Sequence, residues 1–256
     1  MRIIVGIIAV IAAVAAVYFI SLNSVLPMIG NTKDINLIAS DNVKIAANLF
    51  EVSRPKGWLI LIHMMPATKE SWDEFAGEMR SLGYESLAID LRGHGKSDGG
   101  PDGYQKFSDA QHQVGIKDVE AAWEFLKTRG AVPEKTTVIG ASIGANLGLQ
   151  FLTLHRDIGG GVFLSPGDYK GIDSGVLVKK LDANQKLILV ASRKDNRTTG
   201  NNAEQNQIYY NSAAQVRTRH LIIFDGAGHG TELFGLKEEF NLTEAIKKFL
   251  TNGNVL

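Results

Sequence analysis

The chain contains no cysteine. That excludes a disulfide scaffold, a cysteine nucleophile and thiolate metal sites, and it leaves the redox compartment open. An excess of charge is also missing, because 27 Lys plus Arg balance 27 Asp plus Glu. No basic run and no interleaving of basic and aromatic residues points to nucleic acid as a partner. Internal repeats and low-complexity tracts are absent as well. What is present is a chain of 256 residues, 45% hydrophobic and 21% charged, with enough apolar material for one large globular domain.

The N-terminus differs in kind from the rest. Ile3 to Ile20 carries no charge and, apart from Tyr18, no strong hydrogen-bonding side chain. As a helix this run would measure about 27 Å, close to the thickness of a bilayer core. A cleaved signal peptide and a retained anchor both fit. The run is long for a signal peptide and no Ala-x-Ala follows it, which favours the anchor. Arg2 precedes the span, so the positive-inside rule places the remainder outside the cytoplasm. The expected organisation is residues 1–22 as transmembrane anchor or signal peptide, 23–34 as linker and 35–256 as the folded domain.

Within the domain, Ile35–Ala39 and Lys44–Val52 read as a hairpin about Asp41-Asn42. Trp58–Ile62, Tyr84–Leu91, Thr136–Ile139, Gly161–Leu164, Lys186–Val190 and His220–Phe224 are short apolar runs suited to buried strands. Between them lie helical patterns. One is opened by a Ser71–Glu74 capping box, with Phe75, Met79 and Leu82 inward and Gly83 at its end. Others span Ser108–Arg129, the segment up to His155, about Asn202–Ala214, and the C-terminal stretch from Asn241, with Ala245, Ile246, Phe249 and Leu250 inward. A hairpin followed by alternating strands and helices predicts a mostly parallel α/β sheet with helices on both faces. Chemistry in such a sheet sits in loops at the carboxyl ends of the strands.

One motif meets that filter directly. Gly140-Ala141-Ser142-Ile143-Gly144 stands between a strand and a helix, the setting of a nucleophile elbow. A serine there needs a base, and the base needs an acid. Of the six histidines, His229 in Asp225-Gly-Ala-Gly-His-Gly230 follows the last strand and is the expected base. His63 begins a turn after its strand, His94 sits in a Gly-flanked turn, and His112, His155 and His220 fall within elements, so local roles are expected. Asp195, after Lys186–Val190, is the expected acid, with Asp168 one strand earlier as its competitor. Oxyanion donors are expected from the Ile143 N–H at a helix start and from Met65 or Met64, since Pro66 has no N–H. The methionine side chains read either as walls of an apolar acyl pocket or as core. Asp90 and Arg92 are expected to pair with each other. Gly93-His-Gly-Lys-Ser-Asp-Gly99 mimics a dinucleotide fingerprint, but a Gly/Pro-rich loop, and no helix, follows it.

Taken together, His63-Met-Met-Pro-Ala-Thr-Lys-Glu-Ser-Trp72, Asp90-Leu-Arg-Gly-His-Gly-Lys-Ser97, Gly140-Ala-Ser-Ile-Gly144, Asp195 and Gly228-His229 resemble the α/β-hydrolase superfamily over about residues 35–250. The chain is similar in particular to small dienelactone-hydrolase-like and carboxylesterase-like members. That resemblance implies an eight-stranded sheet, Ser142 as nucleophile, His229 as base, Asp195 as acid, Met65 and Ile143 as oxyanion donors, and no cofactor or metal. Met64 replaces the glycine usual in that turn. Asp168–Gln185 leaves room for only a minimal lid. The implied activity is hydrolysis of small carboxylic esters through an acyl-enzyme. Thioesterase or serine peptidase chemistry uses the same groups, and a non-catalytic binding module on this fold is the alternative of another class.

Overall fold

The computed structural model describes residues 29–195, 197 and 201–255. The apolar run from Ile3 to Ile20, read as anchor or signal peptide, lies outside them. Among the described residues no helix is long and apolar enough to cross a membrane.

Eight strands form one sheet: β1 (Ile29–Ile38), β2 (Lys44–Val52), β3 (Gly57–Ile62), β4 (Tyr84–Ile89), β5 (Thr136–Ala141), β6 (Gly160–Leu164), β7 (Lys186–Ser192) and β8 (Thr218–Phe224). Their spatial order is β1-β2-β4-β3-β5-β6-β7-β8. β2 runs antiparallel to β1 and β4, and every pair from β4 onward is parallel. This is the mostly parallel eight-stranded α/β sheet expected. β1 starts at Ile29, so residues 29–34, assigned to a linker, belong to the edge hairpin.

The continuous apolar strands follow from burial on both faces. In β3, Trp58, Ile60 and Ile62 enter one core, while Leu59 and Leu61 enter the other. β7 does the same with Leu187 and Leu189 against Ile188 and Val190. Two-residue alternation thus feeds two hydrophobic layers from one uninterrupted run. The first core is closed by helices α3 (Ile116–Thr128), α4 (Ile143–Leu154), α5 (Ser174–Val178) and α6 (Asn202–Ser212). The second is closed by α1 (Asp73–Ser81) and α7 (Leu242–Asn252), through Phe75, Ala76, Met79, Ala245, Ile246 and Phe249.

Four local expectations are corrected. Ser71 caps no helix: Lys69–Trp72 is a 3-10 turn, α1 begins at Asp73, and the Ser71 hydroxyl donates to Thr68 O at 2.8 Å. The reason is Lys69, whose N–H and ammonium are both held by the buried Asp90 carboxylate, at 2.8 and 3.0 Å, pulling the chain into a tight turn. Leu82 falls beyond α1 and is exposed. The segment 108–129 forms two helices, α2 (Asp109–Gln113), opened by a Ser108–Gln111 capping box, and then α3. Gly115 divides them where a Cβ would lie 3.1 Å from the Leu147 side chain of α4. Finally, Asp90 and Arg92 do not pair. Asp90 binds Lys69, and Arg92 binds Asp41 and the buried Asp118. Burial pushes the Asp118 carboxyl up to about 6 despite Arg92.

Candidate active site

Ser142 stands at the carboxyl end of β5, immediately before α4, with φ 52° and ψ −117°. A left-handed φ on a residue with a Cβ is strained, and the neighbours hold it there. The Ser142 N–H donates to Leu164 O of β6 at 2.8 Å, and the Asn146 N–H returns to Ser142 O at 3.1 Å. Both motif glycines are sterically required. A Cβ on Gly140 would overlap the Gly144 carbonyl, and one on Gly144 would overlap the Ile62 carbonyl and meet His63 O at 2.7 Å. The elbow helix therefore presses directly on the loop leaving β3. Ile143 opens α4, where its N–H has no partner within the helix.

His63 sets the geometry of that β3 loop. Its ring is wholly buried; Nε2 accepts the Leu91 N–H at 3.0 Å and Nδ1–H donates to Met64 O at 2.9 Å. Because Met64 O and Met65 N–H belong to one peptide plane, that bond also fixes the direction of the Met65 N–H. Burial, followed by the neighbouring His94, lowers the His63 pKa to about 4, so the ring is neutral at physiological pH. The side chains of Met64 and Ile143 are both buried and packed in the two cores. Of the two methionines, Met64 is therefore core, and Met65 is partly buried against the first core.

His229 and Asp195 come together from different loops. His229 Nδ1–H donates to Asp195 Oδ2 at 2.6 Å, with both side chains buried. Asp195 also accepts the Arg197 N–H at 3.1 Å. Burial alone would raise its pKa, but these donors, His229 foremost, outweigh it and hold the carboxyl below its usual value. Asp168, the competing acid, is engaged elsewhere, accepting from the Tyr209 hydroxyl at 2.7 Å and the Ser174 N–H at 3.0 Å. A Cβ built on Gly230 would lie 3.2 Å from Ala141 Cβ and 2.6 Å from Met64 Sδ. The residue after His229 therefore touches both the residue before Ser142 and the β3 loop. Such an arrangement can accept a hydroxyl proton at His229 while Asp195 orients the ring.

The other histidines have local partners. His94 stacks on Tyr104 at 4.0 Å, His155 meets Glu120 at 2.8 Å, and His220 meets Gly253 O at 2.8 Å. Some supporting residues escaped the sequence reading. Glu232 accepts the His229 N–H at 3.0 Å and the Arg197 guanidinium at 2.6 Å, tying the two loops together. The Ser192 hydroxyl donates to Gly228 O at 2.8 Å, and Ser165 accepts the Gly230 N–H at 3.0 Å. The two serines stand at the ends of β7 and β6, so the filter that found Ser142 could have found them.

Comparison with known proteins agrees with this architecture. No curated protein matches the chain in sequence. An esterase from Pyrococcus furiosus is 22% identical, with 88% of this chain and 97% of that one covered at a TM-score of 0.67. Est1E from Butyrivibrio proteoclasticus, solved with ferulic acid bound, is 16% identical, with 86% and 98% covered at 0.65. An esterase from a Rhodococcus species is 15% identical, again with 86% and 98% covered, at 0.64. At these identities the likeness is one of fold. The family model described as "serine aminopeptidase, S33" matches residues 53–215, and on that match the chain belongs to this family of α/β hydrolases.

Proposed function

We propose that this hydrolase cleaves small carboxylic esters through an acyl-enzyme. Ser142 Oγ attacks the ester carbonyl as His229 takes its proton. His229 then returns the proton to the leaving alcohol, and a water activated by the same ring releases the acid. Asp195 holds the Nδ1–H tautomer and stabilises the imidazolium, and the N–H groups of Met65 and Ile143 receive the developing oxyanion. The observation that carries this reading is the 2.6 Å His229–Asp195 bond on loops that adjoin a serine held at φ 52°. Esterases among the similar solved structures support the choice of ester bond. The test is labelling of the full-length chain by a fluorophosphonate, together with hydrolysis of p-nitrophenyl acetate. Both should be present in the wild type and absent in Ser142→Ala; a folded wild type that takes no label overturns the reading.

The family description favours a second activity, release of N-terminal residues from peptides by the same groups. Amino-acyl p-nitroanilides assayed beside p-nitrophenyl esters separate the two. We further propose that Ile3–Ile20 anchors the domain to a membrane from outside the cytoplasm. Membrane fractionation and the N-terminal sequence of the mature protein test this, and a mature chain beginning near Ser24 would replace the anchor by a cleaved signal.

A further inference from the structure

We propose that the end of the domain opposite the catalytic loops docks on an anionic membrane surface, where Lys56, Lys135 and Lys186 receive lipid phosphate groups. The proposal rests on the anchor reading above. The zero net charge of the chain hides an uneven distribution. The connections leading into the amino ends of β3 to β8 are residues 53–56, 82–83, 129–135, 155–159, 179–185 and 213–217. They carry eight Lys and Arg against three acids, Glu134, Asp157 and Asp182. Of those eight, only Arg129 is held in an ion pair among the described residues. The connections that follow the carboxyl ends, residues 39–43, 63–72, 90–108, 165–173, 193–201 and 225–241, reverse the balance. They carry twelve Asp and Glu against nine Lys and Arg. A surface of negative charge therefore attracts the amino end and repels the catalytic end.

Two further observations separate this from an ordinary solvated face. Lys56, Lys135 and Lys186 line one cleft of about 250 Å³ at the amino ends of β3, β5 and β7. Glu134 is the acidic residue beside them, and none of the three ammonium groups has an ion-pair partner among the described residues. Three unpaired lysines on one cleft suit a phosphate, which each ammonium meets as a point charge. The chain also enters the domain at this end. Ile29 lies opposite Val52, the residue before the 53–56 connection. The residues from Ile20 to Ile29 reach at most about 30 Å, however they run. A domain of this size is roughly 40 Å across. An anchor ending at Ile20 thus holds the basic end near the bilayer and is too short for the catalytic end to turn onto it. Ser142, Asp195 and His229 then face water, which favours soluble esters over bilayer lipids as substrates.

Because the chain has no cysteine, a single introduced thiol can report which end meets the bilayer. Asn184→Cys marks the amino end and Gln105→Cys the catalytic end, both at exposed positions. Each full-length variant, carrying a donor fluorophore, is reconstituted into phosphatidylcholine vesicles with or without phosphatidylglycerol, doped with a headgroup-labelled acceptor lipid. At about 0.15 M salt, energy transfer from position 184 should exceed that from 105 and rise with phosphatidylglycerol, and the rise should vanish near about 1 M salt. Replacing Lys56→Gln, Lys135→Gln and Lys186→Gln together should abolish the rise and leave kcat for p-nitrophenyl acetate unchanged. Equal transfer with and without phosphatidylglycerol overturns the proposal, as does a rise that survives the triple variant. Alkaline carbonate extraction reports on the anchor separately. If it strips the chain from membranes, flotation with phosphatidylglycerol vesicles still decides the basic face. Binding should then weaken about fivefold for each lysine replaced, and no binding overturns the proposal. Lysine-dependent binding of inorganic phosphate with no preference for phosphatidylglycerol vesicles also overturns it, in favour of a free anion.

Discussion

At the scale of single residues, the site separates groups that look alike in sequence. Asp195 and Asp168 both follow a strand, yet only Asp195 reaches His229. Asp195→Asn removes the acceptor that fixes the ring, and kcat is expected to fall about 10³–10⁴-fold with KM little changed. Asp168→Asn leaves the acid intact and should retain activity within a fewfold, its cost appearing in stability through the Tyr209 bond. Steady-state kinetics on the two variants, with the urea midpoint of each, checks both statements. Equal losses in kcat would contradict the assignment of Asp195. Strand order in the sequence already favoured Asp195; what it did not carry is the contact itself, Asp195 against His229 and Asp168 held by the Tyr209 hydroxyl.

At the scale of elements, glycine makes opposite demands at two places. Gly144 lets α4 touch the carbonyls of Ile62 and His63, so Gly144→Ala must push the elbow away from the β3 loop. It should cost about 1–3 kcal/mol of stability and most of the activity. Gly77 lies inside α1 with open space where a Cβ would go. Gly77→Ala should therefore stabilise by about 0.5–1 kcal/mol and leave kcat unchanged. Urea denaturation of the pair measures both signs. The strands were readable from β3 to β8; in β3, β6 and β7 burial on both faces leaves continuous apolar runs, whereas β8, at the sheet edge, is only partly buried. Helix starts read less well, since the buried Lys69–Asp90 pair overrode the Ser71–Glu74 capping signal. A long-range ion pair has no local signature.

At the scale of the whole molecule, the buried titrating groups govern acid stability. His63 has a folded pKa of about 4, below the ordinary value of 6.5. Its neutral form is the folded form, so the stability it contributes is complete above pH 6.5 and is lost as pH falls from 6.5 toward 4. The size is up to about 3 kcal/mol. His94, lowered by burial, acts in the same direction, and the depressed Asp195 adds a further loss at lower pH, as the pH falls through its folded value. Asp118 opposes them. With its carboxyl at about 6, the folded state binds a proton before the unfolded one, so acidification toward pH 4 favours folding there. Urea midpoints at pH 7 and pH 4.5 should drop in the wild type, drop less in His63→Gln and drop more in Asp118→Asn. An unchanged slope in His63→Gln would remove His63 as a cause.

The sequence by itself determined the mostly parallel α/β sheet, the strand-turn-helix junction at Ser142, the histidine after the last strand, and the loop that carries Asp195. These are local properties: periodicity, glycine spacing, and order along the chain. Tertiary structure decided the rest. It joined Asp195 rather than Asp168 to His229, resolved Met64 into core, and joined Arg92 to Asp118 instead of Asp90. It also brought the Ser165 hydroxyl to the Gly230 N–H, next to His229. Each of these depends on which residues, far apart in the chain, the parallel sheet brings to one edge. Hydrogen bonds and ion pairs form at distances near 3 Å, and residue spacing along the chain carries no information at that resolution until the strands are laid side by side.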